Sequence, residues 1–66
     1  MNHQYWRAVV TLKDATHEWD VIVYSMYKNM REAQHGLNMF LKYTVPKCGY
    51  NVVESWVEPM PKREVV

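Results

Sequence analysis

The stretch "WDVIVYSMYKNMREAQHGLNMF", Trp19 to Phe40, decides the fold, because within it one hydrophobic period gives way to another. Its first half alternates. Trp19, Val21 and Val23 fall on one side and Asp20, Ile22 and Tyr24 on the other, the two-residue period of a strand. From Asn29 the apolar residues recur at helical spacing, with Met30, Ala33, Leu37, Phe40, Leu41 and Thr44 on one stripe. Arg31, Gln34, His35, Asn38 and Lys42 fall largely opposite. Asn29 and Glu32 have the layout of a capping box, in which each side chain satisfies a backbone N–H at the helix start. Gly36 inside the helix costs about 1 kcal/mol relative to alanine, and is read as a point where helix and sheet approach closely.

Upstream, "YWRAVVTL" (Tyr5 to Leu12) places Trp6, Ala8, Val10 and Leu12 on one face and Tyr5, Arg7, Val9 and Thr11 on the other. The polar turn "KDATHE" joins this strand to the next as an antiparallel hairpin. Downstream, Pro46 disfavours helical geometry at Val45, the expected end of the helix. Gly49 then lets the chain turn into a third strand, "YNVVESWV". Pro59 and Pro61 close that strand, and a central strand would not tolerate them. The order predicts an α+β fold: a three-stranded, mainly antiparallel sheet with one helix packed on one face and the other face open. It forms a single domain over 5–59, with 1–4 and 60–66 as flexible tails.

The 66 residues bury only roughly 60% of the unfolded chain's surface, so the core is thin and a deep active site is not expected. Three Trp, five Tyr and one Phe supply enough bulk for an ordered globule. A net charge of +1 gives neither a basic field to gather nucleic acid nor an acidic one to imitate it. The lone Cys48 excludes an internal disulfide framework and suits a reducing compartment. There is no apolar run of about 20 residues and the start "MNHQ" is polar, so a soluble intracellular protein is expected.

Catalytic constellations are weak. His3, His17 and His35 share no metal-ligand spacing, and Cys48 has Lys47 beside it but no histidine base in sequence. Asp14, Glu18 and Asp20 cluster around the turn, where carboxylates are ordinarily solvated. With no phosphate loop, dinucleotide fingerprint or nucleophile elbow, the chain reads as a non-enzyme without cofactor, metal or small-molecule substrate. Met26, Met30 and Met39 are read as gap-filling core or partly buried residues near the helix, although methionine can also furnish adaptable binding surface. Tyr5, Arg7, Tyr24 and Tyr27 near an open sheet face are ingredients of a single-strand nucleic-acid platform, although Asp20 shares that face.

Several segments together resemble one family. "YWRAVV", "HEWDVIVYS", the capped "NMREA" and "VPKCGY" leading to "VVESWVEP" resemble the small host RNA polymerase inhibitors of short-tailed coliphages, over Tyr5 to Pro59. The most specific matches are His17, Val21, Tyr24, Glu32 with Ala33, and Val45–Pro46 followed by Gly49 and Tyr50. This resemblance implies a three-stranded sheet with one helix and no catalytic activity. It also implies an early protein of the host bacterial cytoplasm that binds the jaw of the polymerase largest subunit in the downstream DNA channel and blocks promoter opening.

Two features depart from the family. Its best-known member meets acidic polymerase groups with two arginines on the last strand, where this chain has Glu54, Trp56 and Glu58. A glutamate facing an acidic jaw costs affinity. The segment is also about two residues longer, to be absorbed by a bulge near Val53 to Ser55 or by a longer strand. That member's helix is acidic, whereas here Lys28, Arg31 and Lys42 accompany Glu32. The expected partner-binding residues are therefore Glu54, Trp56, Glu58, Arg7 and Tyr24, with Trp56 as aromatic anchor if it faces away from the helix, and as core if it faces the helix. Other readings are a nucleic-acid-binding module using Arg7, Lys13 and the tyrosines, or an inhibitor of another host enzyme such as a nuclease.

Overall fold

A computed structural model describes residues 4–60. Two strands, β1 (Trp6–Lys13) and β2 (Glu18–Tyr27), are followed by a helical region of three segments: α1 (Met30–Met39), a π-helical stretch (Phe40–Thr44) and α2 (Val45–Cys48). Strand β3 (Asn51–Pro59) closes the chain. The sheet has the order β2-β1-β3 with both pairings antiparallel, so β1 is central and β3 is an edge, where Pro59 is tolerated. The expected tails outside 4–60 lie beyond the described residues. At the domain's margin, Gln4 Nε2 donates to the Met60 carbonyl (2.6 Å) and the Met60 N–H donates to the Tyr5 carbonyl (2.8 Å).

The helical region lies against one face of the sheet. Ala8, Val10 and Leu12 of β1 and Leu37 of α1 form the buried cluster, flanked by Trp19, Val21, Val23, Tyr27, Phe40, Leu41 and Val57. Asn29 caps α1 by accepting the Glu32 N–H at 2.9 Å, and Glu32 Oε2 accepts the Lys28 N–H at 3.2 Å, one residue before the expected reciprocal donor. Gly36 is a close-approach point. A methyl there would lie 2.8 Å from Tyr27 Cε1 and nearer still to its Cζ and hydroxyl oxygen.

The helix does not end at Val45. It continues to Cys48 because the Phe40–Thr44 turns widen, with the Val45 N–H reaching the Phe40 carbonyl. A wider turn relieves the clash between the Pro46 ring and the carbonyl four residues back, and Pro46 lacks the N–H that a regular turn would need. The extra residue per turn rotates the apolar stripe, so Val45 is half-buried and Thr44 exposed. Gly49 ends the helix with φ of 79°, the left-handed conformation that glycine adopts freely.

The methionines are not core. Met26, Met30 and Met39 are 53%, 56% and 44% exposed. Met30 begins the helix and Met26 sits near the end of an edge strand, both beyond the reach of the cluster around Leu37. The described molecule is a plate, with principal extents of 44 × 27 × 14 Å.

Candidate functional site: the sheet face away from the helix

Strand register decides which side chains share the face that the helix leaves uncovered. Opposed residues in antiparallel strands point the same way. Val57 opposes Ala8 and packs on the helix-side cluster, so its neighbours Trp56 and Glu58 face away from the helix. There Trp56 opposes Val9, Glu58 opposes Arg7, and Glu54 opposes Thr11. A bulge makes this possible. Glu54 pairs with Thr11 but Val52 pairs with Leu12, leaving Val53 as the extra residue, within the region where the longer segment calls for one.

Trp56 is half-buried and lies in a bonded triad. Its indole N–H donates to Glu58 Oε1, while Arg7 Nε donates to Glu58 Oε2 at 2.8 Å and Arg7 Nη2 lies 2.5 Å from the same oxygen. The Trp56 bond first, and then the Arg7 guanidinium, hold the Glu58 carboxyl below its ordinary range. On β2, Ile22 opposes Val9 from the other side, and Asp20 accepts a 2.6 Å bond from the Thr11 hydroxyl. The central column is consequently sealed without any helix above it: Val9 is 2% and Thr11 6% exposed.

Arg7, Glu54, Trp56 and Glu58 are thus brought together, and Tyr24 is not. Val9 pairs with Ile22 but Ala8 with Tyr24, a bulge that sets both Val23 and Tyr24 against Ala8. The Tyr24 ring meets Tyr27 edge-on at 4.9 Å, and Tyr27 lies under Gly36 on the helix side. Placing Tyr24 with Asp20 and Ile22 is corrected accordingly, as is placing Tyr27 near the open face. Sequence spacing missed Ile22 and Val9 as the partners of Trp56. The visible signal was their shared parity with Thr11 and Asp20.

The remaining candidates take structural positions. Asp14 Oδ1 accepts the N–H groups of Thr16 (2.8 Å) and His17 (2.7 Å), which build the hairpin turn and lower its carboxyl pKa. His17 Nδ1 is 2.7 Å from the Thr16 hydroxyl. Cys48 Sγ donates to the Val45 carbonyl at 3.0 Å, at the end of the helix. Among the described residues no group of three or more His, Cys, Asp or Glu side chains is placed to hold a metal ion, and no helix is long and apolar enough to cross a membrane.

Comparisons with protein-family models, with curated proteins and with solved structures find no match to this chain.

Proposed function

We propose that this chain is a non-enzymatic phage protein that binds host bacterial RNA polymerase, at the jaw of its largest subunit in the downstream DNA channel, and inhibits host transcription. The reading rests on the sequence resemblance, and the observation that carries it further is the orientation of Trp56. An indole held in place by Glu58 and Arg7, on the side away from the helix, is an anchor whose rotamer is restrained before binding, which lowers the entropic cost of association. Arg7 also offsets the charge of Glu58. The like-charge cost against an acidic jaw then falls mainly on Glu54, which is exposed. The same pairing weakens the nucleic-acid alternative, since Arg7 is committed to Glu58 and both Tyr24 and Tyr27 are on the other side.

The test uses purified bacterial RNA polymerase and the full chain in a binding titration, with promoter-dependent transcription read in parallel. Binding with loss of promoter opening is expected, and Trp56→Ala weakens it at least tenfold while remaining folded by circular dichroism. No polymerase binding at low salt would sink the reading. Full binding by a folded Trp56→Ala chain would remove Trp56 as the anchor.

A further inference from the structure

On the opposite side of the sheet from Trp56, an open hollow of about 510 Å³ runs between the end of β2 and α1, lined by Tyr27, Arg31, Glu32, His35 and Gly36. It exists because residue 36 has no side chain: a methyl there would overlap the Tyr27 ring that forms the floor. Tyr24, 52% exposed, extends this aromatic floor towards the sheet edge through its edge-on contact with Tyr27. Arg31 and His35 are one helical turn apart, and they also line a second hollow of about 410 Å³ with Met30, Gln34 and Asn38. The two side chains therefore form a polar ridge, charged at Arg31, with an aromatic trough on one side and a methionine-edged one on the other.

Arg31 and Glu32 are the charged residues that line the hollow, and they do not pair with each other. Glu32 directs Oε2 to the Lys28 N–H, and Arg31 has no ion pair among the described residues. An exposed guanidinium beside tyrosines is the combination enriched where proteins bind each other most tightly, and its fork matches a carboxylate.

We propose that this groove binds an acidic segment of a partner protein, with Arg31 and His35 taking a carboxylate and the Tyr24–Tyr27 pair taking a neighbouring apolar side chain. Charge complementarity selects this occupant. A polynucleotide would bring continuous negative charge past Glu32 in the groove wall, whereas a peptide can place one carboxylate at Arg31 and an uncharged group beside Glu32. The site is separate from the Trp56 face, so it is tested without the polymerase.

The experiment is an amide NMR titration of the full chain with a short blocked peptide of glutamates flanking one leucine, and separately with a single-stranded oligothymidylate. Saturable shifts confined to Tyr24, Tyr27, Arg31, His35 and Gly36 are expected with the peptide. Arg31→Glu weakens them at least tenfold, and Lys47→Glu, at the far end of the helix, leaves them unchanged. Gly36→Ala, if it folds, fills the floor and also weakens the peptide; Arg31→Glu changes an exposed side chain and keeps the test independent of that packing. Absence of saturable shifts in the native chain, equal shifts in Arg31→Glu, or tighter binding of the oligothymidylate at these amides would each overturn the proposal.

Discussion

The carboxylate of Glu58 is held below its ordinary pKa by the Trp56 indole and by Arg7, and this fixes the direction in which the triad responds to pH. A group whose folded pKa is depressed contributes stability that is fully present above its unfolded pKa and is lost as pH falls through the folded value. Glu58→Gln is therefore expected to cost about 1 kcal/mol near neutral pH and to shrink the loss of stability on acidification. Urea titrations near neutral pH and again on the acid side of the ordinary carboxylate range measure both effects; an unchanged acid-side loss would show that Glu58 is not its source. Asp14, lowered by the backbone N–H groups of its turn, leaves part of the acid sensitivity in place. A second residue-scale prediction concerns Gly36. Alanine normally stabilises a helix interior by about 1 kcal/mol over glycine, but here its methyl meets Tyr27, so Gly36→Ala destabilises the native chain. In a Tyr27→Ala background the same change is expected to be neutral or stabilising, a reversal of sign that a double-mutant cycle detects. Gly36 was readable in sequence as a close-approach point, and Tyr27 shares the parity of Val21 and Val23 on the helix side; what spacing could not give is that the Tyr27 ring is the group lying against Gly36.

Among the elements, the α1 start was the most legible, since Asn29 and Glu32 carry their own geometry. Asn29→Ala removes the acceptor for the Glu32 N–H and is expected to cost about 1 kcal/mol, read as a lowered urea midpoint with unchanged slope; a midpoint within error of the native chain would mean the cap contributes nothing. The helix end was misread because proline rules assume a regular α-helix, and Pro46 is accommodated by a π-helical stretch whose five-residue turn leaves no trace in composition. Strand faces show the same division. In β3 the length of the segment pointed to a bulge near Val53, and the helix-averted side of Trp56 follows from it. In β2 nothing in "WDVIVYSMY" marks the bulge that puts Tyr24 beside Val23, so strict alternation carried Tyr24 to the wrong side.

For the whole molecule, the consequence concerns charge on two faces. Glu18, Asp20, Glu54 and Glu58 share one side of the sheet with Arg7 and Lys13, Glu18 opposite Lys13 and Glu58 opposite Arg7, whereas Lys28, Arg31, Lys42 and Lys47 accompany Glu32 in and around the helix. If the Trp56 face meets an acidic polymerase surface, Glu54→Lys is expected to tighten binding by roughly three- to tenfold, with the gain shrinking as salt is raised. A weaker complex would mean that the surface opposite Glu54 is not acidic. The described plate is 14 Å through its short axis, and its six basic and six acidic side chains are shared unevenly between the two sides of the sheet. Such a body is an electric dipole more than a monopole. A charged partner pulls on it weakly at long range but turns it at short range, within about 10 Å at ordinary ionic strength, so that docking is selected by torque in the last steps of approach.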